Sequence, residues 1–497
     1  MYCKKLLVLL FIIIGAKYLA AQNLNKTDTI ELARKLSYSK NYHGAVSLLQ
    51  RFEINHPKDI NAVRLHGQIL YWMKDFDGAL SLYESALKIN PNPLVQLDYG
   101  WTLFQLNHLQ TARQVLEDYL KTDSLNIEAL NTLGTIAYWQ GHPKMAIKYF
   151  RKTLDQYPKN DWALKYTNEI NEFILPYLKI SGAYAYDTQP LSSVLGNIET
   201  GWYQSNLLAP KFHAQIQDFT ANGNQKELYS FQGGNNFSFT AIGLKAIIAG
   251  GVYQSPADNK TGWTGKLELD QKLSPAFSLS AFADHKPYFY TLSSLQQAVT
   301  ENTYGIALVL NKPGAWMGWA GYSQQQFMDN NTIESYGAWL LLPPLKLSDF
   351  RFYIGYAVNY SNAANDNFML ASTVNQALLT YNLNGIYTPY FTPENQLENS
   401  LLVNLLFKPD PAFQVSVNSN IGIYTTADKP YFYFDYSASH QLIIQKAFYS
   451  AQFVPVAINA ALNYNLSNKT SLQAGYTYLK TFFYTSNIAR IGLNFKF

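Results

Sequence analysis

Near Pro176 the spacing of apolar residues changes from a helical period to a period of two. An amphipathic helix needs the first and a half-buried strand the second, and neither pattern can stand in for the other. At 497 residues the chain also exceeds one ordinary domain. The expected fold class is therefore multidomain, α then β, with the change at 176/177.

The α segment repeats itself. A small residue recurs at Ala33, Gly67, Gly100 and Gly134, and a second series runs Ala45, Ala79, Ala112 and Ala146. Both series step by 34, 33 and 34 residues, a period that marks stacked helical pairs. Small side chains at fixed positions let antiparallel helices approach closely. Pro57, Pro91 and Pro158 close three repeats, and Ser124 takes that place in the other; a proline cannot continue a helix. Leu80, Tyr83, Ala86 and Leu87 fall at helical spacing, and Asp28 followed by Glu31 reads as a capping box for the first helix. On these residues the segment 28–173 resembles tetratricopeptide repeats, four of them with 161–173 as a capping helix. The resemblance implies an α-solenoid whose concave surface binds a protein. Tyr71, Trp72, Trp101, Tyr138 and Trp139 are the partner-binding candidates, with packing between helices as their alternative role.

From Leu178 onward the pattern alternates. Ile491, Leu493, Phe495 and Phe497 interleave with Arg490, Gly492, Asn494 and Lys496. Phe413, Val415 and Val417 stand against Gln414, Ser416 and Asn418, and Leu267 and Leu269 against Lys266, Glu268 and Asp270. A soluble sandwich alternates in this way, and so does a barrel wall between lipid and lumen. Three features favour the antiparallel transmembrane β-barrel. Tyr and Phe are abundant, as interface girdles require. The chain opens on what reads as an export signal. The last strand, ending on Phe497, resembles the assembly signal of bacterial outer-membrane proteins. With the repeats and the C-terminus on one side, the turns at 272–275, 312–313, 343–348, 409–411 and 467–469 must follow even-numbered strands. With that requirement the segments read as sixteen strands, the second at 197–206, with 14 or 18 as the alternatives. A barrel of this size leaves an aqueous lumen unless loops fill it.

Lys4 and Lys5 precede an apolar run from Leu6 to Ile14, and Ala20 and Ala21 stand before Gln22. This is the pattern of a secretory signal over 1–21. The single cysteine, Cys3, lies within it, so the mature chain would hold neither a disulfide nor a Cys-ligated metal. Lys4, Lys5 and Lys17 account for three of the net +4 charges; the rest of the chain is nearly neutral and carries no nucleic-acid footprint. A mean hydropathy of −0.15 argues against a bundle of membrane helices. The expected domains are a signal peptide (1–21), a periplasmic repeat domain (22–176) and a barrel in contact with outer-membrane lipid (177–497), in a Gram-negative bacterium.

Two long outer loops, 361–397 and 425–455, are expected without regular structure, and such loops usually carry function. Their polymer-path candidates are Tyr387, Tyr390 and Phe391 in the first, and Tyr431, Tyr433, Asp435 and Tyr436 in the second. Aromatic faces stack on sugar C–H faces, and carboxylates accept from hydroxyls. The same residues would equally make a hydrophobic plug or an interface belt. A shorter loop, 286–301, carries Tyr288, Phe289 and Tyr290.

Signal, repeats and C-terminal barrel in that order resemble the outer-membrane subunits that export bacterial cellulose or poly-N-acetylglucosamine. The stretch from Tyr387 to Glu394 (YTPYFTPE) is similar to the aromatic-Ser-Pro motif of the cellulose-type and YaiO-type barrels. Thr392 replaces the usual Ser, and Glu394 the usual Gln. The repeat array here is shorter than in those exporters. The resemblance implies passage of a polysaccharide or other secreted polymer through the barrel, with the repeats docking a periplasmic partner. The alternative is a plugged barrel that anchors the repeats as an assembly scaffold. Neither role needs a catalytic residue, cofactor or metal, and the sequence lacks the metalloprotease, nucleophile-elbow and phosphate-loop motifs. Asp284 beside His285 is the one pair worth testing as half of a hydrolase dyad, against a plain strand-end polar pair.

Overall fold

A computed structural model describes residues 26–497 apart from 222, 241, 313 and 314. The expected signal at 1–21, Cys3, and Pro313 of the expected turn at 312–313 lie outside the described residues. The chain divides into two compact units after Glu172.

The first unit holds nine described helices. They are α1 (Lys26–Tyr38), α2 (Tyr42–Asn55), α3 (Ile60–Trp72), α4 (Phe76–Ile89) and α5 (Pro93–Gln105), then α6 (Leu109–Tyr119), α7 (Ile127–Trp139), α8 (Pro143–Gln156) and α9 (Asp161–Ile174). Side-chain caps start several of them: Asn41 accepts from Gly44 N at 3.1 Å, Asp75 from Gly78 N at 3.0 Å, and Asn126 from Ala129 N at 3.1 Å. Each cap satisfies a backbone donor that the helix leaves free. Asp28 does not play this part; it lies inside the first turn of α1, which begins two residues earlier. Within each pair the chain reverses on a residue of positive φ: Lys40 at 61°, Lys74 at 65°, Asn107 at 64° and Gly141 at 78°. Three of these four are not glycine, although the left-handed conformation costs an ordinary residue about 1 kcal/mol or more. The small-residue series pack as their spacing predicts. Ala33, Ala45, Ala79, Ala112 and Ala146 are fully buried. A Cβ on Gly67 would sit 2.3 Å from the Tyr83 ring, and one on Gly134 2.7 Å from the Phe150 ring. The core between pairs is Phe104, Leu116, Tyr119, Leu133 and Ile136.

The second unit is a closed barrel. Its strands begin β1 (Tyr177–Asp187), β2 (Leu191–Gly201), β3 (Pro210–Ala221), β4 (Asn224–Phe239) and β5 (Leu244–Gln254). Next come β6 (Thr261–Lys272), β7 (Phe277–Pro287), β8 (Thr300–Asn311), β9 (Met317–Phe327) and β10 (Thr332–Leu341). The short β11 (Leu345–Leu347) leads into β12 (Phe350–Ala363); β13 (Phe368–Leu370), helix α10 (Val374–Thr380) and β14 (Gly385–Tyr387) follow in the long loop. The chain ends with β15 (Gln396–Phe407), β16 (Phe413–Tyr436), β17 (Leu442–Gln452), β18 (Val456–Asn465), β19 (Thr470–Lys480) and β20 (Thr485–Lys496). Without β11, β13, β14 and β17, sixteen strands form one antiparallel ring, closed where β1 pairs β20 from Tyr177↔Lys496 to Asp187↔Ser486.

Sixteen is the number expected, and the four expected turns that are fully described fall at the end of the ring where β1 begins and β20 ends. Three details differ from expectation. β2 begins at Leu191 rather than 197, because Asp187 accepts from Gln189 N (2.8 Å) and Leu191 N (3.2 Å) and tightens the reversal. The segment 425–455 is not structureless: β16 runs on to Tyr436 and pairs with β17 as a projecting hairpin. The loop 361–397 holds α10, capped by a Thr373–Gln376 capping box, and the small β13–β14 sheet.

The alternation places large apolar side chains on the outer wall. Trp263 is 61% exposed and Ile491 62%, with Ile180, Ile198, Phe231, Ile248, Ile306 and Tyr336 on the same surface. An unbroken apolar band with every backbone group paired to a neighbouring strand is what a lipid bilayer demands of a β-structure. None of the described helices is long and apolar enough to cross a membrane. The second unit fits an outer-membrane protein.

Candidate functional site

Strand register sorts the inner wall. Phe327 is buried against the loops, so Gln325, Ser323 and Trp319 on the same strand share its inward face. The same reading across paired strands gives two unlike halves. On β1–β8 the inner face is charged and balanced. Lys179 meets Glu199 at 3.2 Å, Lys266 meets Glu268 at 2.8 Å, and Lys286 reaches both Asp284 (3.4 Å) and Glu301 (3.3 Å). On β9–β19 it is amide, hydroxyl and indole: Trp319 opposite Trp339, Asn404 opposite Asn418, and Asn418 opposite Asn459, which accepts from Thr477 at 2.8 Å. The charged residues on this inward register are Arg351 and Glu398, and Met317, Leu341, Leu402, Leu406 and Leu479 share it.

The mouth away from the chain ends is stoppered by two loops. In the loop 288–299, Phe289 and Leu295 enter a cluster made by Phe219, Leu228 and Tyr253. Tyr288 joins a second cluster with Phe327, Ile333, Ala363 and Tyr390. Tyr390, 1% exposed, stacks on Phe327 with centroids 3.6 Å apart and donates to Asp329 at 2.6 Å. The Thr291 hydroxyl donates to the Pro389 carbonyl, which ties the two loops together. Phe391 stacks on Phe483 at 4.3 Å and meets Tyr387 edge-on at 4.7 Å. Beside this stopper a gap of about 290 Å³ stays open, lined by Tyr288, Tyr290, Phe391, Gln396, Asn420, Phe483 and Tyr484. Glu398 and Lys480 also border it, and a second gap of about 260 Å³, lined by Gln217, Phe219, Tyr253, Lys286 and Phe289, lies over the charged half.

The sequence-derived candidates thus separate. Tyr387, Tyr390 and Phe391 come together at the mouth, with Tyr390 as a buried anchor rather than a contact surface. Tyr431, Tyr433, Asp435 and Tyr436 lie on the hairpin instead. Tyr431 and Tyr433 face Tyr449 and Gln445, Tyr436 is 69% exposed, and Asp435 accepts from the Tyr436 backbone N–H. Their neighbours Phe432 and Phe434 hold the hairpin to the long loop through Phe368 and Tyr381. Lys446 adds a clip, donating to Asp366 and to the Phe368 carbonyl. Sequence reasoning missed Phe327, Asp329, Lys446 and Phe483; only the aromatic run Phe482-Phe483-Tyr484 in a strand-to-strand turn was a readable signal. Asp284 and His285 point to opposite faces. Asp284 pairs Lys286, whereas His285 bonds Asn302 at 2.8 Å and stacks on Trp263, so they form no dyad. Among the described residues no acidic, histidine or cysteine cluster could hold a metal ion.

The Glu394 carboxyl sits in the long loop just before β15. Burial, then the nearby Asp366 and Asp428, push it up to about 7 from the usual 4.5, against the pull of Lys446. A raised carboxyl favours the packed loop fully below pH 4.5, and that contribution is lost as pH rises through 7. Hydrogen exchange over 387–395, corrected for intrinsic rates, is expected to be faster at pH 8 than at pH 5. In Glu394→Gln the corrected rates should be equal at the two pH values.

On the helical unit, Tyr71 meets Trp101 edge-on at 5.2 Å, and Trp72 is 44% exposed. Trp139 stacks on Phe104 at 5.2 Å but stays half exposed, and Tyr138 donates to Glu169 at 2.8 Å. These aromatics divide their surface between packing and solvent.

Residues 70–136 match the family model described as tetratricopeptide repeat. No curated protein matches the sequence. Among solved structures, a bacterial polysaccharide outer membrane secretin aligns with TM-score 0.45 and 8% identity, over 65% of this chain and 99% of that one. The MamA protein aligns with TM-score 0.28 and 16% identity, over 30% of this chain and 81% of that one. A tetratricopeptide repeat protein from Parabacteroides merdae ATCC 43184 gives TM-score 0.28 and 18% identity, over 30% and 59% of the respective chains.

Proposed function

We propose that this chain is an outer-membrane export channel for an exopolysaccharide or similar secreted polymer, with its tetratricopeptide repeats in the periplasm docking a protein partner. The observation that carries the reading is the inner wall. About half of it is rich in amides, hydroxyls and tryptophans with few charges, and it runs toward a gap beside the stopper. Such a wall exchanges hydrogen bonds with a hydrated chain without holding it by charge. The stopper is built from loops rather than from strands of the ring, so displacing it breaks no inter-strand bond of the wall. The similarity of the Tyr387–Glu394 stretch to the aromatic-Ser-Pro motif supports the same cargo class. The role is passage rather than chemistry, and the Asp284–His285 geometry is in keeping with that.

The second reading, a plugged anchor that presents the repeats as a scaffold, is favoured by one observation: the buried Tyr390–Phe327–Asp329 contact inside the mouth. Planar-bilayer recording of the full chain separates the two. Export predicts a steady current that cello- or N-acetylglucosamine oligosaccharides block. An anchor predicts no current, even after the projecting hairpin is removed. Deleting 28–173 is expected to abolish co-purification of the periplasmic partner; retained co-purification would end the adaptor role.

A further inference from the structure

The inner helices of two neighbouring repeats, α3 and α5, border a cleft of about 250 Å³ together with the start of α7. Its walls are the rings of Tyr71, Trp72 and Trp101, and its polar lining includes Gln68, Asp98 and Glu128. The acids differ in availability. Asp98 is committed to Arg64, which donates from Nε at 2.6 Å and from Nη2 at 3.1 Å, the two-pronged geometry that satisfies a carboxylate. Glu128 is exposed and makes no ion pair among the described residues. Among the described residues, Asp98 and Glu128 set against Arg64 leave the cleft with one net negative charge beside three aromatic faces.

An anion would meet Glu128 with nothing left to bind it. A cation would find both a carboxylate and ring faces, the two partners that a desolvated ammonium or guanidinium prefers. We infer that this cleft binds an arginine or lysine side chain on an extended segment of the partner protein. The inference rests on the reading of the helical unit as a docking domain and names the chemistry of what docks. Trp72 and Trp101 supply the faces, Glu128 the charge, and the Arg64–Asp98 pair holds α3 and α5 at the separation that keeps the cleft open.

The test uses the full chain in detergent and follows tryptophan fluorescence. The titrants are end-blocked Ser-Gly-Arg-Gly-Ser and its analogues with Lys, citrulline or Glu at the centre. The arginine and lysine peptides should give saturable responses, and the citrulline and glutamate peptides should bind at least tenfold more weakly. Glu128→Gln should lose about tenfold in affinity for the arginine peptide, the size of one charge-assisted hydrogen bond. Trp72→Leu, on an exposed ring, should lose severalfold. Both variants should keep the parent circular dichroism. Equal binding of the citrulline or glutamate peptide, no effect of Glu128→Gln, or no saturable response to any peptide would overturn the inference. If partner co-purification is abolished by deleting 28–173 but unchanged in Glu128→Gln, the docking role stands and this cleft is not its site.

Discussion

Replacing residues 289–298 with a short Gly/Ser linker will raise the single-channel conductance of the barrel severalfold. That loop supplies Phe289 and Leu295 to the cluster with Phe219, Leu228 and Tyr253. Through Thr291 it also holds the Pro389 backbone and hence the Tyr390 anchor. Its removal unseats both loops, whereas the wall keeps every inter-strand bond. A sixteen-strand ring without its filling is wide enough for an aqueous path. Shortening the hairpin tip at 438–440 is the matched control, since the tip touches neither aromatic cluster, and should leave conductance unchanged. If the linker variant conducts no better than the parent, the occlusion lies elsewhere and the anchor reading gains.

The sixteen-strand ring was legible because two independent regularities agree. Alternation gave the faces, and turn parity with both chain ends on one side gave an even count. Lipid outside and water inside make every strand show the same pattern, so tertiary context has little room to override it. The hairpin β16–β17 was not legible as structure, because its Tyr-Phe-Tyr-Phe run is aromatic on both faces and lacks polar alternation. Both faces are in fact used, Phe432 and Phe434 against the long loop, Tyr431 against Tyr449 and Tyr433 against Gln445. The repeat turns at Lys40, Lys74 and Asn107 were invisible for another reason. They take a glycine-type conformation without glycine, and only Gly141 signals it.

Of the candidate site, the sequence located the loops but not what they do. The Tyr387–Glu394 stretch drew notice for its aromatics, yet its function in the fold depends on partners more than fifty residues away. Tyr390 needs Phe327 and Asp329, and Phe391 needs Phe483. Local spacing cannot report such pairings, because register alone sets which strand ends meet at the mouth. The inner-wall asymmetry was in principle readable. It required the correct inward parity of every strand at once, which single-strand alternation does not fix.

Phe150→Ala will lower the stability of the helical unit by about 3–5 kcal/mol, and Gly134→Val alone by about 1–3 kcal/mol. Phe150 is fully buried on α8, its ring stacked on Tyr166 at 5.5 Å and lying where a Cβ on Gly134 would be only 2.7 Å away. Truncating the ring opens a cavity between α7 and α8; adding a branched side chain at 134 forces the same two helices apart. Each change fails because of the other residue's size. The double variant Gly134→Val/Phe150→Ala places the valine in the space the ring vacates. It should therefore be more stable than the sum of the single losses allows, by more than about 1 kcal/mol, in thermal melts followed at 222 nm. Strict additivity would mean that the glycine series is not a packing device at this position. Because α7 also carries Tyr138 and Trp139, the double variant should recover partner binding in step with stability. Recovered stability without recovered binding would place the docking surface on this helix face itself.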